Sequence, residues 1–350
     1  MQRKVLSKTV EALEDGVFLS SASQTWVPLP KLSHSEIVQF SRMYNLNPEG
    51  GGESGEDGMV LNEDQWEAFV ATLPSWRYIH PESSMLPIDV VEGDILTAAA
   101  KMAADAGPGE SPPGVLNMAS ASHPGGGYKG GAGAQEENFF RRSDYSVHLD
   151  AESSVWESRE WTYPIPTFGG IFTAQVRVFR GPQEEGYPFM ETILPVSAIA
   201  VAAQRRPAVT KTWSRNGGGR VKMTPAAKEK AREKIRAIFK IAIIHGCTRL
   251  ALSALGCGAY RNPPDCVARL FHSVLHHEFG RFFHHVVFAI YNDHNATGKK
   301  HNPRGNYLPF AEVFASSPKL WDHSAGDEVG SDGDEVGGDD ENEVIGGMED

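Results

Sequence analysis

Val115-Leu-Asn-Met-Ala-Ser-Ala-Ser-His-Pro-Gly-Gly-Gly-Tyr-Lys-Gly-Gly-Ala-Gly-Ala-Gln-Glu-Glu137 is the stretch on which the reading of this chain turns. It opens on a short apolar run, Val115 to Met118, interrupted only by Asn117. Small residues lead to Gly125, Gly126 and Gly127, then to Gly130, Gly131 and Gly133, and finally to Gln135, Glu136 and Glu137. If the apolar run is a buried strand, the rest is a strand end, a loop with few large side chains and a helix that begins on carboxylates. Open α/β sheets place their ligand sites at such strand ends. A flexible glycine loop with solvated glutamates accounts for the composition equally well.

Working outward, the 350 residues, 40% of them hydrophobic, suffice for one large core or one core plus a smaller appendage. The formal charge of −12 belongs to the tail, because 322–350 holds twelve acidic residues and no Lys or Arg. A formally neutral body argues against non-specific nucleic-acid binding, which needs a positive footprint. No sequence-specific nucleic-acid contact is expected either. The tail repeats Gly-Asp-Glu-Val-Gly at 326–330 and 333–337, and this acidic segment without aromatics reads as disordered. Cys247, Cys257 and Cys266 are odd in number and form no close ligand pair. That fits a reducing, intracellular compartment, nuclear or cytoplasmic, without structural zinc. The N-terminal residues show no signal peptide, no run reaches transmembrane length, and no membrane partner is expected.

Residues 1–80 read as a helical accessory region. Helical patterns run from Ser7 to Leu19, from His34 to Tyr44 behind a Ser33/Glu36 capping box, and from Glu63 to Leu73 behind Asn62. Glu49 to Gly58 reads as a mobile loop with nothing to bury. Between 81 and 295 strands and helices alternate. An edge strand at Leu86–Val91 precedes a helix from Ile95 to Ala106 with Asp94 as its N-cap. The opening stretch supplies the next strand and helix. Strands follow at Ile171–Phe179 and Ile193–Ala203, then a basic, glycine-containing loop at Arg205–Val221. A helix starts at Thr224-Pro225, and a strand at Arg249–Leu255, a helix at Asp265–Glu278 and a strand at Val286–Tyr291 complete the series. This is an α/β pattern with crossover helices. Residues 296–321 read as a C-terminal extension.

A second glycine loop, Gly256-Cys-Gly-Ala-Tyr-Arg-Asn-Pro-Pro264, also follows a strand. Neither loop is a Walker A motif or a dinucleotide fingerprint. Gly256 to Gly258 can offer backbone N–H groups to an anion, or simply make a tight turn. Glu136 and Glu137 point about 100° apart if helical, so each needs its own role. A carboxyl against apolar or glycine-lined walls is suited to act as a general acid in glycosidic cleavage. Alternatively, the pair only complements the helix dipole. Asn117 either orders the loop or binds ligand, and Tyr260 either covers a ribose or base or belongs to the core. His276-His277 and His284-His285 lack metal-ligand order, so no metal and no cofactor are expected.

Gly125-Gly-Gly127 followed after seven residues by Gln135-Glu-Glu137 resembles the signature of poly(ADP-ribose) glycohydrolases. The surrounding Val115–Gly127 string, the loop Gly256–Pro264 and the strand Val286–Tyr291 are similar to the bacterial-type branch, which filamentous fungi also carry. The resemblance spans roughly 84–293. It implies a macrodomain-like three-layer α/β/α fold with a mixed central sheet, and chain-end hydrolysis of ribose–ribose O-glycosidic bonds to release ADP-ribose. It assigns the catalytic acid to Glu137 and the holding of ribose hydroxyls to Glu136. It gives ribose positioning to Asn117, Gly125, Gly126 and Gly127, with Gln135 also in the binding set. The backbone of Gly256, Gly258 and Ala259 would cradle the diphosphate, with Cys257 also in the binding set, and Tyr260 stands where the family usually has an aromatic over the ribose. Asp94 is a further candidate for ligand or loop contacts. The implied partner is poly(ADP-ribose) or ADP-ribosylated protein, met by a monomer. The alternatives are a macrodomain hydrolase of single ADP-ribose groups and a non-catalytic ADP-ribose-binding module.

Overall fold

The computed structural model describes residues 1–47, 59–74, 86–150, 155, 157–159, 161–213, 219–292, 302–315 and 343–345. In chain order the first elements are α1 (Gln2–Asp15), β1 (Val17–Leu19), β2 (Trp26–Pro28), α2 (His34–Phe40), β3 (Ser41–Asn45), β4 (Met59–Val60) and α3 (Glu63–Thr72). Next come β5 (Ile88–Glu92), α4 (Ile95–Ala104), β6 (Gly114–Met118), α5 (Gln135–Arg142), α6 (Tyr145–Leu149), β7 (Gly169–Arg180) and β8 (Phe189–Val201). The remainder is β9 (Val209–Trp213), β10 (Gly219–Met223), α7 (Pro225–Ile244), β11 (Arg249–Leu252), α8 (Pro264–Val274), β12 (His285–Ile290), α9 (Tyr307–Ala315) and β13 (Glu343–Ile345).

Eight strands form one mixed sheet in the order β4-β3-β7-β8-β6-β11-β12-β5. From β8 to β5 every neighbouring pair is parallel, whereas β7 runs antiparallel to both of its neighbours, β8 and β3. The parallel strands are near-continuous apolar runs, as strands covered on both faces require. Val196–Val201 of β8, Gly114–Asn117 of β6 and Val286–Ile290 of β12 are all buried. α4 packs across β6, β8, β11 and β12, and α7 packs on β7 and β8. Because five strands are parallel, their C-terminal ends lie along one sheet edge. That edge is where an open α/β sheet leaves a crevice.

Local signals explain most element starts. Asp94 accepts from Thr97 N (2.8 Å) at the head of α4, a cap worth about 1 kcal/mol. Thr224 caps α7, with Pro225 at its first position. The capping boxes at Ser33 and Asn62 are both formed.

The structure redraws the chain's two ends. The first 80 residues are not a separate helical region. Their helix from His34 stops at Phe40, and Ser41–Asn45 pairs antiparallel with β7 as part of the central sheet. Met43 and Tyr44 are buried in the main core, so this strand is held by partners far away in sequence. The basic stretch 205–221 is not a plain loop: β9 and β10 pair antiparallel within it. Beyond residue 296, α9 packs on α8 and β5, with Phe310 fully buried 5.4 Å from the Phe288 ring. Glu343–Ile345 adds antiparallel to β9, while the rest of the acidic tail and the Glu49–Gly58 segment lie outside the described residues.

Candidate active site

Strand β6, a glycine loop and α5 form one unit. β6 ends at Met118, and in the turn that follows Gly125 and Gly126 take φ of +70° and +53°, a region that L side chains rarely adopt. Space reinforces conformation here. A Cβ on Gly125 would stand 2.6 Å from the Phe140 ring, and one on Gly126 would stand 2.7 Å from Glu137 Oε1. The loop is pinned outside by Tyr128, whose hydroxyl donates to Asp150 (2.6 Å). Gln135 then joins helix to strand: its Nε2 donates to Leu116 O (2.9 Å) and its Oε1 accepts from Met118 N (2.8 Å). Both ends of that amide are occupied by β6. Gln135 lies in the cleft wall, and its amide fixes α5 to β6.

The two glutamates diverge as a helix requires. Glu136 is buried at 4% exposure and accepts from three N–H groups. Ser120 N donates to Oε2 (2.7 Å), while Gly125 N (3.2 Å) and Asn117 Nδ2 (3.4 Å) donate to Oε1. Burial nevertheless dominates and pushes its carboxyl up to about 8, with the neighbouring Glu137 charge adding to the rise against the three donors. Glu137, at 8% exposure, accepts from Gly127 N through Oε1 (3.0 Å). Its Oε2 is buried and has no hydrogen-bond partner among the described residues. One oxygen is anchored and the other is not.

The second loop closes the neighbouring strand β11. Gly256 has φ of +71°, and a Cβ there would lie 2.5 Å from both Ala203 Cβ and Asn262 Nδ2. Asn262 fastens the turn, donating from its N (3.0 Å) and Nδ2 (3.1 Å) to Gly256 O and from Nδ2 to Gln204 O (2.7 Å). The N–H groups of Gly258, Ala259 and Tyr260 donate to no acceptor among the described residues. Successive undonated amides of this kind make an anion-binding concavity. The Cys257 side chain is fully buried, burial pushes the thiol up, and its Sγ contacts Leu255 O.

Both loops open into one cleft of about 940 Å³. Its floor is the C-terminal edge of the parallel strands: Asp94 after β5, Ser120 after β6, Ala203 after β8, Ser253 after β11 and Asn292 after β12. Of the residues expected from sequence, Asp94, Gly126, Gln135, Glu136, Glu137, Gly256, Gly258, Ala259 and Tyr260 line it. Asn117, Gly125 and Gly127 stand behind, holding the carboxylates in place. Asp94 uses one oxygen to cap α4 and the other to bind Arg142 Nη1 (2.7 Å), so it ties α4 to α5 at the cleft wall. Sequence reading missed Ser120, whose amide serves Glu136, and also Arg142, Gln2 and Asn306 in the wall. Ser120 and Arg142 lie beside the motif but carry no residue-type signal of their own, and Gln2 and Asn306 reach the wall from the two ends of the chain. Among the described residues no group of three His, Cys, Asp or Glu side chains is placed to hold a metal ion.

Comparison with known proteins agrees with this geometry. Residues 7–181 match the family described as "Microbial-type PARG, catalytic domain". The structure of poly(ADP-ribose) glycohydrolase from Thermomonospora curvata is similar at a TM-score of 0.63 and 27% identity, covering 89% of this chain and 99% of that one. The same enzyme bound to the inhibitor ADP-HPD is similar at 0.61 and 26%, over 89% and 98% of the two chains. The Deinococcus radiodurans poly(ADP-ribose) glycohydrolase in complex with ADP-ribose is similar at 0.55 and 25%, over 83% and 99%. No curated protein matches the sequence.

Proposed function

The chain belongs to the microbial-type poly(ADP-ribose) glycohydrolase family, and from that premise we infer that its cleft holds a terminal ADP-ribose unit with the ribose–ribose bond against Glu137. The protein is a glycosidic hydrolase acting on poly(ADP-ribose). One observation carries the assignment of its acid: Glu137 Oε2 is buried without a partner, while Oε1 is fixed by Gly127.

The chemistry follows from the placement. Protonated Glu137 gives its proton to the leaving ribose oxygen as the bond from that oxygen to the anomeric carbon breaks. The resulting oxocarbenium-like centre is stabilised by the Glu137 carboxylate that this proton transfer leaves. Water adds to the anomeric carbon and returns a proton to Glu137, which restores the starting state. Glu136, fixed by Ser120, Gly125 and Asn117, holds the ribose hydroxyls. The amides of Gly258, Ala259 and Tyr260 receive the diphosphate, and the half-buried Tyr260 ring covers the ribose. Glycine at 126 lets the ribose approach without a side chain between it and Glu137.

Cleavage is proposed to proceed from the chain end, as the bacterial-type resemblance implies, in an intracellular compartment suited to three free cysteines. A monomer is proposed as the working unit. The test is release of ADP-ribose from poly(ADP-ribose), with Glu137→Gln alongside. Equal release by both proteins overturns the assignment of Glu137. Activity confined to proteins bearing one ADP-ribose overturns the polymer substrate. Early appearance of mid-length oligomers overturns the chain-end mode.

A further inference from the structure

The β9–β10 hairpin is joined at its base to the diphosphate loop. Arg206 N donates to Tyr260 O (2.8 Å), and Asn262 Nδ2 donates to Gln204 O (2.7 Å). Ala203 and Tyr260, on the two segments that meet here, both line the cleft. From Arg205 to Lys222 the sequence carries six basic residues and no acidic one. Arg205, Arg206 and Lys222 are exposed and make no ion pair among the described residues. A cationic strap with no anion of its own therefore stands beside the loop that is shaped for a diphosphate.

The outer edge of this strap is occupied by the chain's own tail. β13 pairs antiparallel with β9, which also pairs with β10, so a small sheet forms in the order β10-β9-β13. Its register sets Glu343 opposite Lys211, Val344 opposite Thr210 and Ile345 opposite Val209. Opposite charges at facing positions of an antiparallel pair favour that register over its neighbours. β13 runs from the level of Lys211 to that of Val209, toward the base of the hairpin where Arg206 meets Tyr260. The sequence explains why this part of the tail pairs. Glu-Val stands at Glu328-Val329, Glu335-Val336 and Glu343-Val344, but glycine follows the first two and Ile345 follows the third. Two consecutive β-branched residues suit a strand, whereas glycine weakens one. The tail is also the strap's electrostatic complement, with twelve acidic residues and no Lys or Arg over 322–350.

We propose that the β9–β10 hairpin is the docking surface for the acidic tail, and that the docked tail is an internal polyanion competing with poly(ADP-ribose) for the approach to the diphosphate loop. The competition rests on the reading above that the cleft takes this polymer; the docking does not.

Docking is tested in the full chain by pairing Val344→Cys with Thr210→Cys. Facing residues of an antiparallel pair fall within the Cα separation a disulfide accepts, about 4.4–6.8 Å, so mild oxidation is expected to give an intramolecular 210–344 link, read by peptide mass mapping. No link, or an equal yield with Thr212→Cys in place of Thr210→Cys, overturns the docking. Competition is tested with two further full-length variants. One replaces the twelve tail carboxylates by amides. The other keeps every charge and breaks the strand with Val344→Pro and Ile345→Pro, since one of two consecutive N–H groups faces the partner strand. Both are expected to lower KM for poly(ADP-ribose) about fivefold with kcat unchanged, as when an approach occupied four-fifths of the time is freed. The difference from wild type is expected to shrink as salt is raised. A proline variant that behaves as wild type leaves only the field of an undocked tail and overturns the competition, as does a rise in KM for either variant. A wild-type protein that releases no ADP-ribose strikes the functional reading, while the cross-link still decides the docking.

Discussion

Two glycine loops close adjacent parallel strands and use their backbones in opposite ways. After β6, the N–H groups of Ser120, Gly125 and Gly127 are all donated to Glu136 and Glu137. After β11, the N–H groups of Gly258, Ala259 and Tyr260 remain undonated. The first loop brings its own anions and holds them still. The second is shaped for an anion that arrives with the ligand. Glycine serves both, because each turn needs positive φ and each must admit a close neighbour. What separates them is the helix that follows: α5 begins with two carboxylates, whereas α8 begins with two prolines and Asn262 before it.

The largest expected effect tests the first loop. Glu137→Gln is expected to lower kcat for ADP-ribose release by about 10³-fold, within the range of positioned acid–base catalysis. Calorimetry with ADP-ribose is expected to show binding retained. Lost binding with unchanged turnover per bound substrate would move Glu137 from chemistry to recognition.

The sharper contrast pairs Gly126→Ala with Gly256→Ala. The former drives a methyl to 2.7 Å from Glu137 Oε1 and is expected to lower kcat by on the order of 10²-fold. The latter crowds Ala203 and Asn262 at 2.5 Å and is expected to act mainly on KM, by about tenfold, through a displaced diphosphate loop. If both variants shift kcat and KM alike, the division of labour between the loops is wrong.

Smaller in effect is a pH dependence set by Glu136. Its carboxyl is pushed up to about 8 in the folded chain, from an ordinary 4.5. Between those values the unfolded chain has released a proton that the folded chain retains. Stability therefore falls as pH rises through that window, by on the order of a few kcal/mol. Glu136→Gln is expected to flatten this portion of the Tm–pH curve, and a slope that survives the substitution assigns it to another group. Smallest is Cys257→Ala. The thiol faces the core, so turnover is expected to stay within about twofold while stability drops by about 1 kcal/mol. A marked rise in KM would return this side chain to the ligand surface.

Much of the site was legible because its segments are local. Strand, glycine loop and glutamates lie within Val115–Glu137, and the capping residues Ser33, Asn62, Asp94 and Thr224 announce their helices. Failures cluster where partners are remote. Ser41–Asn45 reads as the end of a helix, yet it pairs with β7 some 130 positions later in the chain, as Ser41↔Thr173 shows. That the Gln135 amide bonds to β6 and the Cys257 thiol faces the core is likewise not written in the motif. A motif shows which residues are close together; it does not show which way each side chain turns.

The sequence by itself determined the alternating α/β pattern, the two glycine loops at strand ends, and the pair of carboxylates at a helix start. Periodicity, caps and the positive-φ needs of glycine are short-range, and a single strand of text carries them. Only the tertiary structure decided that the two loops share one cleft, that β3 belongs to the sheet, and that Glu136 is the anchored carboxylate while Glu137 keeps a free oxygen. The first two depend on the pairing of β6 with β11 and of β3 with β7, between residues more than a hundred positions apart, and the third on which way each carboxylate turns once buried.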